Sequence, residues 1–525
     1  MENKDMLEFA KSDVATEEKV ADKECKDSDS NASYDEPYKK LIIPDIPEIL
    51  KEKEVPKKKS KKGLLIGIGF AAFVLMLVVS VLTTVLNRVE IAGQKYEKDV
   101  SSIYLFDCEL SDEDVQNLSS LENLSYLQLK NCKLANTDMS WLSVVGSTVE
   151  LEACGLTDAH IASVDFSSAR FTSFDVDGNN ELTDLSPLAN AADRMVSVSF
   201  SGCSVEDVSF LSGMTKLTSL YFDSNKVTDI SAVSDCKNLQ IISFNSNKVS
   251  SIIALSACSK LTKVSANDNE LVSLQGLESA SGLTEVEANG NAINDISALK
   301  NASSLKKVCI NVDKRKVASN AAVEPDLTCL INSASNLVEL YIDCTDITDF
   351  SILSKCLRLE ILSANNCSGL TTLTYLNNCI SLRRLSTSEC NLISLDGIEN
   401  LKNITHLDVS DNKIKSIDYL PSFNQNNVYL DLSNNLISSF VMQEQSFSNL
   451  AVYNNPITEL DLSKTKGFKL AVDYNNCIDY RAVSGKFNSY YLIDCPQEKQ
   501  DEFISIFGKS AVSFVTEAEY RSSLE

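Results

Sequence analysis

The stretch "LTSLYFDSNKVTDISAV", Leu217 to Val233, returns along the chain at a fixed interval. Leu217, Leu239, Leu261, Leu283 and Leu305 are each 22 residues apart, and so are Leu220, Ile242, Val264, Val286 and Val308. The first half of the unit alternates apolar and polar residues in steps of two, which predicts a short strand. The second half sets apolar residues three apart, which suits a 3₁₀ or extended return. Neither half can bury its apolar side alone, so successive coils must stack into one continuous core.

The unit L-x-x-L-x-F-x-x-N-x-V-x-x-I-x-x-V is the leucine-rich repeat pattern. With "NAINDISAL" (Asn291 to Leu299) and "NKVTDISAV" (Asn225 to Val233) it resembles the internalin-type repeats of bacterial surface proteins. The resemblance covers about residues 100–480. It implies an α/β-type solenoid, a horseshoe with a parallel concave sheet and a mostly 3₁₀ or extended convex side, whose concave face meets a partner. The family's usual cell-wall sorting signal, L-P-x-T-G, does not occur in the chain.

The register assigns one buried slot per coil at the turn out of the strand. Asn180, Asn225, Asn247, Asn269, Asn291, Asn412, Asn435, Asn455 and Asn475 fill it in some coils, and Cys108, Cys132, Cys154, Cys203, Cys367 and Cys390 in others. Backbone groups at such a turn lack strand partners, and burying them unpaired is costly, so a side-chain amide is wanted there. Cysteine fits as a small apolar residue with a weak S–H donor. A second slot, three residues before the leading leucine, holds Cys236, Cys258, Cys356 and Cys379 alternating with alanines, so it requires small size. Of the 16 cysteines, Cys25, Cys309, Cys329, Cys344, Cys477 and Cys495 stand outside both slots. Disulfides Cys309–Cys329 and Cys477–Cys495 are open alternatives to free thiols. No Cys/His cluster suggests a structural metal, and no cofactor is expected.

Residues between the buried strand positions point to the concave face. These are Tyr221, Asp223, Glu285, Glu287, Tyr341, Asp343, His406, Asp408, Tyr429, Asp431, Tyr453 and Tyr474. Tyrosines supply contact area with a polar tip and carboxylates supply charge, a combination suited to a protein or glycan partner. Tyr429, Tyr453 and Tyr474 fall in successive coils and are expected to form a C-terminal stripe. A spacer or envelope scaffold, or a receptor recruiting a partner through its tail, are the alternatives.

Other motifs are weak. "DVDGNNELTD", Asp175 to Asp184, is similar to an oxygen-rich calcium loop, but Asn180 stands where such a loop needs glycine, and the repeat register accounts for it too. The two histidines, His160 and His406, lie in distant coils. No hydrolase, phosphate-loop or metalloprotease motif occurs, so no enzyme is expected. A net charge of −25 disfavours nucleic-acid binding.

Residues 63–86, "GLLIGIGFAAFVLMLVVSVLTTVL", carry no charge and follow "KKKSKK" (Lys57 to Lys62). The expectation is one transmembrane helix in the lipid bilayer, with the N-terminus cytoplasmic and the repeats outside the plasma membrane. The expected organisation is a disordered tail 1–62, the helix 63–86, a linker and cap 87–102, the solenoid 103–484 with an insertion at 314–330, and a C-terminal cap 485–525.

Overall fold

The structure is a computed structural model that describes residues 73–79, 87–317, 322–474 and 480–524. It divides into two units, Met1–Val79 and Ser80–Glu525. In the first, a helix over residues 73–79 is described, with its apolar side chains exposed. The sequence expectation of a membrane-spanning helix is corrected here. Among the described residues no helix is long and apolar enough to cross a membrane. The other residues of the expected span, and the tail 1–62, lie outside the described residues.

The second unit is a leucine-rich repeat solenoid built on one long parallel sheet. Among the described residues 19 strands are stacked in sequence order, from Ser102–Phe106 at one end to Val512–Val515 at the other. Each strand pairs with the next, and none of the described pairings joins the last to the first, so the sheet is open. The register steps by one repeat: Leu220 lies opposite Ile242, Ile242 opposite Val264, and Val264 opposite Val286. In each case the flanking residues face away, as Ser219 and Tyr221 flank buried Leu220. Phe200, Phe222 and Phe244 stack beneath the sheet with ring centroids 5.4 and 5.6 Å apart.

The returns are 3₁₀ turns such as Ser231–Asp235, Ile253–Ala257 and Ser297–Asn301. In the D-I-S units the aspartate caps the turn: Asp229 and Asp295 accept from the Ser231 and Ser297 N–H groups at 2.8 and 2.9 Å. The early coils use short α-helices instead, Asp112–Ser119 and Asp158–Ser163.

At the strand exit the chain enters the left-handed region, at Ser224, Ser246 and Asp268, and the next residue turns inward. Asn225 is typical. Its Nδ2 donates to the Phe200, Phe222 and Asp223 carbonyls, and its Oδ1 accepts from Val205 N–H of the previous coil at 3.0 Å. Cysteines in this slot reproduce the donor half, Cys154 to Leu129 O at 3.4 Å and Cys367 to Ile342 O at 3.2 Å. Burial pushes the Cys154 thiol up to about 12 and the Cys367 thiol to about 11, so both stay protonated at neutral pH.

One coil departs from the expected register. There the left-handed residue is Gly178, so the slot is taken by Asn179, fully buried and bonded to Leu151 O and Leu156 N–H. Asn180 is exposed. This also answers the calcium-like reading. Asp177 accepts from Ser199 Oγ and Ser201 N–H, and Asp184 accepts from Ser186 N–H, so these oxygens close turns between and within coils. Asn475 and Cys477 lie outside the described residues. The Cys309–Cys329 alternative is resolved as two free thiols: Cys309 is on a sheet strand, whereas Cys329 lies in the return Leu327–Asn332 and donates to Ile296 O.

The insertion folds back on its neighbours. Lys316 donates to the Asn269 and Gly290 carbonyls, and Lys314 pairs with Asp346 at 3.0 Å. At the N-terminal end the hairpin Arg88–Ile91 and Gln94–Glu97 covers the first coil. Past residue 484 the sheet continues with strands Phe487–Ile493 and Val512–Val515, separated by the helix Gln497–Phe507. A last helix, Glu517–Ser522, turns back over the sheet.

Candidate partner-binding face

Strand alternation lays the outward residues of the sheet in rows. One row contains Tyr221, Glu287, Tyr341, Asp408 and Asp431 at equivalent positions. A neighbouring row contains Glu285, His406 and Tyr429.

Asp223 and Asp343 belong to a third row with a structural task. Asp223 Oδ1 accepts from Ser243 Oγ and Asn245 N–H at 2.7 and 2.6 Å, and Asp343 Oδ1 does the same for Ser363 and Asn365. Asn245, Asn267, Asn289 and Asn311 pass the same bond from coil to coil. This second ladder was readable in the sequence, as the Asn two residues before each slot in "NSN", "NDN" and "NGN". Its aspartates serve the coil-to-coil bonds first.

Glu285 and Glu287 are neutralised by neighbours on the same face. Lys263 lies 3.0 Å from Glu285, and Lys307 lies 2.7 Å from Glu287 and 3.8 Å from Glu339. Lys263, Glu285, Lys307 and Glu339 thus alternate in sign along one row, as cross-strand pairs prefer. Tyr221 and Tyr341 are half-buried between such strands.

At the C-terminal end the expected tyrosine stripe does not form. A register irregularity between Val428 and Tyr429 puts Tyr429 opposite Asn449. Tyr453 lies two residues beyond Ala451, which is the residue opposite Asp431. Tyr474 packs partly buried against the core. Tyr429 instead stacks on His406, with ring centroids 4.1 Å apart and 7° between planes. Burial, with Arg384 nearby, pushes the His406 imidazole down to about 4, so it is neutral at physiological pH.

This end is also covered. The helix Glu517–Ser522 places Tyr520 edge-on to Tyr453 at 5.7 Å, and both side chains have no solvent exposure. Tyr520 Oη donates to Asn449 Oδ1 at 2.8 Å, and Arg521 donates to Asp411 at 2.5 Å. Glu517 accepts from Asn434 and Asn454 at 2.7 and 2.8 Å. Asp408 and Asp431 lie on adjacent strands near the Arg521 charge. Desolvation and the Asp408 charge push Asp431 up to about 7, and desolvation raises Asp408 as well.

The open aromatic surface lies at the other end, among residues the sequence reading passed over. Tyr104 and Phe106, on the first strand, are 50% and 54% exposed. Tyr126 on the next strand sits 5.1 Å from Tyr104, centroid to centroid. The signal was present in the alternation of "SIYLF" (Ser102 to Phe106), where buried Ile103 and Leu105 force the aromatics outward. Beside them Gln128 donates to Glu150, Lys130 pairs with Glu152 at 2.8 Å, and burial with the Asp177 charge pushes Asp175 up to about 7. Among the described residues no group of three or more His, Cys, Asp and Glu side chains is arranged to hold a metal ion.

No protein-family model and no curated protein matches the sequence. Solved structures do match in fold. A leucine-rich repeat protein of Leptospira interrogans aligns over 79% of this chain and 94% of its own, at 15% identity and a TM-score of 0.54. A plant peptide hormone receptor, solved in complex with RGF2, aligns over 80% and 88% at 14% identity and a TM-score of 0.50. An internalin of Listeria monocytogenes aligns over 67% and 91% at 19% identity, with a TM-score of 0.44.

Proposed function

We propose that the chain is a non-enzymatic binding protein that captures a protein or glycan partner on its sheet face, at the open N-terminal coils. The observation that carries this reading is the exposed pair Tyr104 and Phe106 on one strand, with half-buried Tyr126 against Tyr104 on the next, where the sheet-face tyrosines further along are half-buried or sealed. Exposed aromatics cost solubility and are the residue type that dominates interface energetics. Glu150 and Asp175 on the following strands give that patch an acidic side, suited to a partner with an apolar surface and a cationic or hydroxyl-rich edge. Display at a cell surface belongs to the same proposal, and labelling intact cells with a membrane-impermeant reagent tests it.

The binding test is capture from extracts by the immobilised full chain, compared with a Tyr104→Ala, Phe106→Ala double variant. Both positions are solvent-facing, so the variant keeps its fold. The reading expects at least a tenfold loss of the captured partner. Equal capture by both chains would remove the N-terminal patch as the site.

A further inference from the structure

We propose that the sheet-face patch formed by Asp411, Asn434, Asn449, Tyr453 and Asn454 is a second recognition site, specific for a short helical segment carrying an acid followed one turn later by Tyr-Arg. The chain's own C-terminal helix occupies this site in cis, and an external segment of the same chemistry competes with it.

Three observations converge on this patch. The helix Glu517–Ser522 is six residues long, too short to persist alone, so its conformation is set by what it docks on. Its hold on the sheet is made by named polar groups. Arg521 meets Asp411, Tyr520 meets Asn449, and Glu517 is gripped by the two amides Asn434 and Asn454. Glu517 and Arg521 also pair with each other at 2.9 Å, which fixes the spacing of acid and base along the segment. The fit leaves polar capacity unused, since the buried Asn449 Nδ2 has no hydrogen-bond partner. Asn449 is 3% exposed, so an occupant that reaches this atom gains a bond the cis helix does not make.

The geometry of attachment permits exchange. After the last sheet strand, Val512–Val515, Thr516 opens the helix with a capping box, and the contacts of the helix with Asp411, Asn434 and Asn454 are all partly solvent-exposed. The strands underneath are held by their own ladder, through Asn435 and Asn455, independently of the helix. Release of the helix therefore opens the patch without unstacking the coils.

The test uses a fluorescein-labelled peptide of residues 516–525 and fluorescence anisotropy. It is titrated with the native full chain, with the full chain carrying Tyr520→Ala and Arg521→Ala, and with that variant carrying Asp411→Ala as well. The double variant should bind the peptide at least tenfold more tightly than the native chain, and Asp411→Ala should abolish the gain. Far-ultraviolet circular dichroism confirms that each chain is folded. Equal binding by native and double-variant chains, or no binding by a folded double variant, would overturn the proposal. Should the double variant misfold, the native chain with Asp411→Ala alone decides through hydrogen exchange. Faster exchange confined to residues 516–524 supports a displaceable segment, and exchange spreading through the sheet strands contradicts it. None of these readouts involves Tyr104 or Phe106, so the result is separate from the fate of the N-terminal patch.

Discussion

Tyr104 and Tyr453 project from the same sheet, on the same side, and meet opposite fates. Tyr104 stands half in solvent beside Phe106, while Tyr453 is sealed beneath Tyr520. Acids at the two ends differ in the same sense. Lys130 and Glu152 form an exposed pair, whereas Asp431 is only 5% exposed, beside Asp408. What separates the ends is a six-residue segment that begins after the last strand and runs back over five coils. A solenoid face is therefore not one surface. Its chemistry repeats coil by coil, but access to it is decided by the caps.

The largest effect that separates the two ends is on stability. Tyr453→Ala empties a fully buried aromatic site and should cost about 3 kcal/mol in urea unfolding. Tyr104→Ala should stay within about 0.5 kcal/mol of the native chain. Similar costs at both positions would break the comparison.

Acidity gives the next effect. Asp431 titrates near 7 in the folded state and near its ordinary value of about 3.9 when unfolded. The folded chain therefore binds this proton more tightly, so stability falls as pH rises from about 4 through about 7 and levels off above that. The slope is at most about 1.4 kcal/mol per pH unit from this group. Thermal melts from pH 5 to 8 should show the decline, and because Asp175 is pushed up to about 7 as well, Asp431→Asn should remove about half of it. No such reduction is expected from Glu152→Gln, which belongs to an exposed pair with Lys130.

Removing the Arg521 charge is smaller. Its side chain is 37% exposed, so solvent screens the Asp411 pair, and Arg521→Ala should cost about 1 kcal/mol. The change should appear as faster hydrogen exchange in residues 516–524. The smallest effect belongs to the central coils, where Glu285→Gln breaks an exposed pair with Lys263 and should shift stability by less than about 0.5 kcal/mol.

The repeat made the solenoid legible, because a period shared by Leu217, Leu220 and Asn225 dictates both strand and stacking. It failed where a coil departs from the period. Gly178 moves the turn by one residue, so Asn179 rather than Asn180 is buried, and the shorter coil that pairs Tyr429 with Asn449 leaves Tyr453 out of line with it. The C-terminal helix was invisible for a different reason. Its anchors, Asp411 and Asn434, are 110 and 83 residues away from their partners, and no local pattern encodes such a contact. The apolar run at 63–86 shows the converse limit. Hydropathy suggested a span, yet among the described residues no helix is long and apolar enough to cross a membrane.

Hydroxyl-radical footprinting of the native full chain, read residue by residue by mass spectrometry, tests the account most directly. Tyr104 and Phe106 should be modified readily, while Tyr453 and Tyr520 are protected. Tyr453 modified as fast as Tyr104 would contradict the division of the sheet face into an open and a self-occupied end.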